Sequence, residues 1–176
     1  TTVVQGVAPT VVVSGDALLC PGAQLVLTAT ANAPVSRNNG ANGSTITVGS
    51  AGLYIATASN ACGSDTDGHQ VDASPLTAAF TASPTTGAAP LSVQFTNTSV
   101  QGSSSAWNLG GEGSSTSTSP SFTFEEPGVY TVVLVTTLDG CVTQTSQVIT
   151  VGLPPPSGSS TIYVPNVFTP NGDHIN

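Results

Sequence analysis

Apolar and polar residues alternate along much of the chain with a period of two. Gln24–Thr30 and Ser92–Thr98 show this most clearly, and Val93 and Phe95 share one face of the second segment. Such alternation is typical of β-strands that are buried on one side. The pattern predicts strands at Thr10–Ser14, Gln24–Thr30, Thr45–Val48, Leu53–Ser59, His69–Val71, Leu76–Ala82, Ser92–Thr98, Ala106–Leu109, Ser121–Phe124, Val129–Thr136 and Thr143–Val151.

Turn-forming residues divide these strands into groups. Asn39-Gly40 and Asn42-Gly43 are hairpin-type dipeptides, and Asp72–Leu76 with its proline is a candidate boundary. Three prolines at 154–156 favour a stiff, extended linker. The sequence therefore predicts four segments. They are a module at 1–74, a module at 75–152, a Pro/Ser/Gly linker at 153–160 and an extended C-terminal segment at 161–176.

Composition supports an all-β fold. β-branched Thr and Val are abundant, and 19 glycines and 13 prolines are available for turns. The alternative is a disordered Ser/Thr-rich tail, but the 38% hydrophobic content and the alternating runs argue against it. We expect two tandem β-sandwich modules. Thr1 is not a natural start, so we also expect the chain to come from a longer protein.

Charge excludes several functions. Only 6% of residues are charged, the formal net charge is −8, and Arg37 is the single basic residue. Nucleic acids and anionic lipids are bound through Lys and Arg, so neither is an expected partner. No apolar run approaches the roughly 20 residues of a membrane span, so direct membrane insertion is not expected.

Three cysteines leave one without a partner. Cys20 and Cys62 both lie at the ends of predicted strands in the first half. We predict a disulfide between them, closing a loop of about 42 residues and contributing on the order of 4 kcal/mol. The alternative is two free buried thiols. Cys141 is expected to be a buried thiol, with an intermolecular link as the alternative.

Catalytic and metal-binding groups do not form recognisable sets. The nine carboxylates are scattered, and His69 and His174 have no evident nucleophile beside them. No enzyme activity and no cofactor are expected. Asn171 and Asp173 are weak candidates for Ca²⁺ ligands, as is the alternating pair of aspartates at 65 and 67, but neither set reaches the ligand count that Ca²⁺ needs.

Four motifs in the second half resemble the PKD domain, an immunoglobulin-like β-sandwich common in bacterial surface proteins. They are Ala89–Asn97, Trp107–Gly113, Pro127–Val132 and Thr150-Val151. The second motif departs from the family pattern W-x-F-G-D-G, because Leu109 replaces Phe and Gly111-Glu112 displaces the acidic residue.

The resemblance implies roles for four signature residues. Trp107 should fill the core, although a sugar-stacking role is the alternative. Pro127-Gly128 should turn the chain into a central strand, and the Tyr130 hydroxyl should bond nearby backbone, as corner tyrosines do.

Two further stretches resemble known families. Cys20–Gly22, Leu25–Ala29, Gly52–Thr57 and Asn60–Cys62 are similar to the Ig-like repeats that accompany PKD domains, although the usual central Trp is absent. Tyr163–Asp173 resembles the opening of the gliding-motility-associated C-terminal domain, with His174 in place of the usual Gly. That resemblance implies type IX secretion across the outer membrane to the cell surface or medium.

Together these features predict a non-enzymatic structural or adhesive segment of a secreted bacterial surface protein. Self-association, other surface proteins and glycans are the expected partners. The segment would form filaments if residues 1–9 or the tail complete a neighbouring sheet by strand addition. The alternative is a carbohydrate-binding accessory module of a larger secreted hydrolase.

Overall fold

The computed structural model describes residues 6–155 of the 176-residue chain. This part of the chain forms β-strands and no helix. The strands of the first module are β1 Val11–Ser14, β2 Leu18–Leu19, β3 Leu25–Ala31, β4 Val35–Arg37, β5 Thr45–Val48, β6 Gly52–Asn60 and β7 Gly63–Ala73. The strands of the second module are β8 Phe80–Ser83, β9 Thr86–Ala88, β10 Leu91–Asn97, β11 Ser104–Leu109, β12 Ser114–Ser115, β13 Ser121–Phe124, β14 Gly128–Leu138 and β15 Cys141–Gly152.

Each module is a sandwich of two sheets. In the first module the sheet β1-β3-β5 packs against β2-β7-β6-β4, and in the second β13-β10-β8 packs against β12-β11-β14-β15-β9. All neighbouring strands are antiparallel except two pairs. The short strand β2 runs parallel to β7, and the short strand β9 runs parallel to β15. β7 and β15 are the last strands of their modules. The predicted all-β fold with two tandem immunoglobulin-like sandwiches is confirmed.

Alternation along the strands builds the two cores. On β10, the buried residues Leu91, Val93 and Phe95 alternate with exposed polar ones, because successive side chains of a strand point to opposite faces. Phe95 and Leu27 of β3 are both fully buried, one in each core. Each module therefore has its own hydrophobic core, and residues of both sheets contribute to it.

Two predicted strands differ from the structure by more than two residues at one end. The strand predicted at 69–71 is the end of β7, which starts at Gly63. The strand predicted at 76–82 begins only at Phe80, because Leu76 is buried where the modules meet and Pro75 before it cannot donate a backbone hydrogen bond. Among the described residues, nothing is helical and apolar over a length that would cross a membrane.

Two aspartates of β7 close one open edge of the first sandwich. The backbone N–H of Val11 donates to Asp65 Oδ2 at 2.8 Å, and that of Val13 donates to Asp67 Oδ2 at 2.7 Å. Residues on the partner strand β3 do not take up these two N–H groups. Asp65 and Asp67 therefore accept the hydrogen bonds that the carbonyl groups of a further strand would accept. Their role in the first sandwich is to satisfy the edge strand β1 and not to bind a metal.

Replacing Asp65 or Asp67 with alanine is expected to lower the free energy of unfolding by about 1–3 kcal/mol each, because a backbone N–H loses its acceptor. Amide hydrogen exchange at Val11 and Val13 reports the loss directly. Asparagine at the same position keeps an oxygen acceptor and is the matched control, with a smaller expected loss. If the Val11 amide exchanged at the same rate in Asp65→Ala as in the unsubstituted chain, this hydrogen bond would not contribute to stability in solution.

Candidate functional site at the joint between the modules

A linker of six residues, Ser74–Ala79, connects the modules between β7 and β8. Its first residue donates a backbone hydrogen bond to Leu19 O at 2.9 Å, and its last donates to Ser99 Oγ at 3.0 Å. Leu76 lies between these two anchors and is only 2% exposed. The linker is thus short and is held at both ends by the modules that it joins.

A disulfide bridges the same joint. Cys20 follows β2 in the first module, Cys141 begins β15 in the second, and their Cα atoms are 5.3 Å apart. The two cysteines are 121 residues apart in sequence. The modules are therefore connected twice, once through the backbone linker and once through sulfur.

This pairing shows that the predicted bridge between Cys20 and Cys62 is wrong. Leu19 pairs with Ala73 at the end of β7, whereas Cys62 precedes Gly63 at its beginning. A strand of that length spans about 30 Å, far beyond the Cα separation of roughly 4.4–6.8 Å that a disulfide allows. Cys62 is exposed and unbonded in the structure.

The expectation for Cys141 also needs correction. The residue is buried, at 1% exposure, but it is not a free thiol because it is bonded to Cys20. Burial in the second module and bonding to the first are compatible because Cys141 lies at the tip of the β14–β15 hairpin, at the end of the module that faces its neighbour.

Two shallow clefts flank the disulfide. One, of about 540 Å³, is lined mainly by the loop Cys20–Gln24 and by Ala73–Thr77. The other, of about 440 Å³, contains two carboxylates, Asp16 and Asp139, and otherwise small or apolar groups. Neither cleft holds a nucleophile beside a base, so the arrangement positions modules and offers no catalytic set. Domains of this fold are typically non-catalytic.

Two of the four signature residues of the second module, Trp107 and Tyr130, lie in its core. Trp107 is 2% exposed, its ring centroid is 5.0 Å from that of Phe80, and its Nε1 donates to Ser117 O at 2.9 Å. A buried ring is not available for stacking on a sugar. β14 begins at Gly128 directly after Pro127, so this dipeptide does stand at the start of a central strand.

Tyr130 has the geometry of a corner tyrosine. Its hydroxyl donates to Glu126 O at 2.8 Å, and burial raises its pKa, with the nearby charges of Glu112 and Glu126 adding to the shift. Gly110 packs against it with φ +74°, and a Cβ at this glycine would lie 2.7 Å from Tyr130 Cβ. Gly110 therefore serves close packing against the tyrosine.

Arg37, the single basic residue, is also structural. Its side chain is 6% exposed, and one guanidinium nitrogen donates to Ser44 O at 3.0 Å. Its Nε and Nη1 atoms have no partner, and burial lowers its pKa. This cation is not displayed for a ligand.

The predicted metal candidates do not form a site in the described residues. Asn171 and Asp173 lie outside residues 6–155, as does the whole C-terminal segment. Within that range no three His, Cys, Asp or Glu side chains come close enough together to hold an ion. The sequence did not predict the joint itself, and its signal was Cys141, which has no second cysteine in its own module.

Comparison with known proteins identifies the second module. Residues 67–152 match the family model described as PKD domain, which confirms that resemblance. No curated protein sequence matches the chain. The match and the disulfide indicate an extracellular structural or adhesive module.

Three solved structures are similar to parts of the chain. The PKD1 domain of Vibrio anguillarum Epp is 29% identical, with 46% of this chain and 98% of that chain covered and a TM-score of 0.39. A solved structure of carbohydrate-binding modules from the beta-sandwich superfamily is 25% identical. The match covers 46% of this chain and 35% of that chain, with a TM-score of 0.41. The titin I-band fragment I67–I69 is 14% identical, with coverage of 85% and 68% and a TM-score of 0.41.

Proposed function

We propose that residues 6–155 form a spacer in an extracellular bacterial surface protein, in which two β-sandwich modules are held in one relative orientation. The observation that carries this proposal is the double connection at the joint. A six-residue linker anchored at both ends and the disulfide between Cys20 and Cys141 together restrict how one module can turn against the other. Such a spacer would present other parts of the parent protein at a distance from the cell.

The surface chemistry supports a passive role. The chain has one basic residue, and that residue is buried. Apolar side chains that remain exposed, such as Val12, Val26 and Val129, are distributed over both modules. Without basic residues to attract nucleic acid or anionic lipid, the surface suits a module that stays solvated and avoids strong contacts. Surface sorting through the C-terminal segment belongs to the same proposal and rests on the resemblance of Tyr163–Asp173.

Filament formation by strand addition has less support. The strands at the ends of the sheets have two to four residues each, from β2 and β12 with two to β1, β5, β8 and β13 with four, although β9 pairs with only residues 150–152 of β15 and leaves 141–149 as a longer edge. Short edges are a common means of preventing sheet-to-sheet association. Residues 6–9 are held by their own module, because Asn60 Nδ2 donates to Val7 O and Asn32 Nδ2 donates to Ala8 O. Glycan binding through Trp107 is likewise disfavoured by the burial of that ring.

The spacer proposal can be tested by NMR relaxation on the full chain, which at 17.3 kDa is of suitable size. Both samples should carry Cys62→Ser, so that no exposed thiol can cross-link molecules. The oxidised chain is expected to give a common rotational correlation time for both modules. Adding Cys20→Ser is expected to give shorter and different correlation times for the two modules. Independent tumbling in the oxidised chain would overturn the proposal.

A further inference from the structure

The two modules share one construction around a tyrosine. Tyr54 follows Gly52 at the start of β6, as Tyr130 follows Gly128 at the start of β14. Each tyrosine hydroxyl donates to the carbonyl oxygen four residues earlier, at 2.7 Å for Tyr54 and 2.8 Å for Tyr130. These two positions are therefore structurally equivalent.

Strand pairing extends this equivalence to the following strand. Gly52 pairs with Val71, and Gly128 pairs with Val151. In both modules a short strand runs parallel to the last strand near its end, β2 beside β7 and β9 beside β15. The hairpin β6–β7 of the first module thus corresponds to β14–β15 of the second.

Each module consequently has an N-terminal pole and a C-terminal pole. The tip of the equivalent hairpin lies at the N-terminal pole, at Asn60–Gly63 in the first module and Leu138–Cys141 in the second. The C-terminal pole of the first module contains Ala73, where β7 ends, and Cys20, whose neighbour Leu19 pairs with Ala73. The observed disulfide therefore joins the C-terminal pole of one module to the hairpin tip at the N-terminal pole of the next.

Cys62 lies in the corresponding hairpin tip of the first module. Cys141 comes directly after the two turn residues of its hairpin, and Cys62 is the second turn residue of the equivalent hairpin, one position earlier. Cys141 is bonded to the preceding module, whereas Cys62 is exposed and unbonded. The same pole of each module thus carries a cysteine, and one of the two already forms a link between modules.

The incoming chain passes directly beside Cys62. Asn60 Oδ1 accepts a hydrogen bond from the backbone N–H of Cys62 at 2.8 Å, and Asn60 Nδ2 donates to Val7 O at 2.9 Å. Gly6 lies against the sulfur of Cys62 so closely that no Cβ would fit there. Gly6 and Val7, the first residues that the structure describes, therefore lie beside this thiol.

We propose that Cys62 is half of a second inter-module clamp, and that the other half is a cysteine at the C-terminal pole of a β-sandwich module N-terminal to the first one. That cysteine would follow a short strand parallel to the last strand of its module, as Cys20 does. Cys20 of a second copy is not available for this bond, because Cys141 holds it. The series of clamps ends in the second module, where Ala89-Pro90 connects β9 to β10 without a cysteine.

The bond would form by thiol–disulfide exchange with a disulfide oxidant, a disulfide-bearing oxidoreductase or an oxidised low-molecular-weight thiol. The thiolate of one cysteine attacks the oxidant and releases one reduced thiol. The second cysteine then displaces the other oxidant sulfur from the mixed disulfide. Two cysteine thiols are oxidised to one disulfide, and the oxidant disulfide is reduced to two thiols, so protons and electrons balance.

Disulfide mapping of the parent protein tests the proposal. The protein is isolated without reductant, free thiols are blocked with iodoacetamide, and the chain is cleaved after arginine and before aspartate. These cuts place the three cysteines in separate peptides, because Arg37 and Asp65 flank Cys62. Mass spectrometry is expected to find the Cys62 peptide bonded to a peptide from N-terminal to Thr1, with less than a tenth of Cys62 alkylated. The bond between Cys20 and Cys141 serves as the internal control.

Three outcomes would overturn the proposal: quantitative alkylation of Cys62, a bond between two copies of Cys62, or a bond from Cys62 to another cysteine of this chain. A Cys62→Ser parent protein should lose the new bond and retain the internal control. Failure at Cys62 would leave the spacer proposal standing, because relaxation of the Cys62→Ser chain tests the other joint alone.

Discussion

Replacing Cys141 with serine is expected to lower the free energy of unfolding by about 5 kcal/mol, the largest effect of any single substitution considered for this chain. The reason is the length of the loop that the bond closes, since Cys20 and Cys141 are 121 residues apart. Without the bond, the unfolded chain gains the conformational entropy of that entire loop. Urea unfolding followed by the fluorescence of the single tryptophan measures the change.

Matched cysteine variants separate the bond from the side chains. Cys62→Ser removes a thiol that forms no bond in the structure. Its free energy of unfolding should stay within about 0.5 kcal/mol of that of the unsubstituted chain. Cys20→Ser should match Cys141→Ser, and the double variant should lose no more than either single one. A Cys141→Ser chain as stable as the parent would show that the joint disulfide does not constrain the unfolded chain.

Trp107→Ala is expected to cost about 3–5 kcal/mol, the usual range for removing a large aromatic side chain from a core. The ring contacts two phenylalanines, with centroid distances of 5.0 Å to Phe80 and 5.7 Å to Phe95. Alanine would leave a cavity between the two sheets of the second module, and Ser117 O would lose its indole donor. Thermal unfolding followed by far-UV circular dichroism measures this loss without relying on tryptophan.

Val129→Thr is the control for that substitution. Val129 is 71% exposed on β14, in the same module, and a change there should stay within about 0.5 kcal/mol. If Trp107→Ala folded with unchanged stability and lost binding to a glycan, the ring would be a recognition surface and the core assignment would be wrong. If both variants lost a similar free energy of unfolding, the sheet that contains β14 would be destabilised by any substitution, and the effect would not be specific to Trp107.

The fold of the second module was largely predictable because its signals are local. Trp107, Pro127-Gly128 and Tyr130 each take their place from a few neighbouring residues and from the alternation of β10 and β14. The strands β2 and β9 were not predicted, because an alternation with a period of two cannot be recognised over only two or three residues. Their parallel pairing with the ends of β7 and β15 is a property of the folded chain.

The cysteine pairing was not predictable from sequence spacing, because Cys20 and Cys62 lie at opposite ends of β7 and are separated by the length of that strand. Cys20 and Cys62 look like neighbours when only strand ends are counted, but those ends are at opposite poles of the first module. The sequence indicated Asp65 and Asp67 only as weak metal-ligand candidates, because their backbone partners Val11 and Val13 are distant in sequence. Polar residues at alternate positions of a half-buried strand were the signal for an edge-capping role.

The joint disulfide also determines how the chain responds to being pulled from its two ends. Tension that enters at the N-terminus reaches Cys20, crosses the sulfur–sulfur bond to Cys141 and leaves along β15, so residues 21–140 lie outside the mechanical path. At about 3.3–3.6 Å per extended residue, this hidden stretch amounts to roughly 400 Å of contour length. Pulling on the two ends would therefore extend the chain only by what lies before Cys20 and after Cys141, and reduction of a single bond would release the remainder.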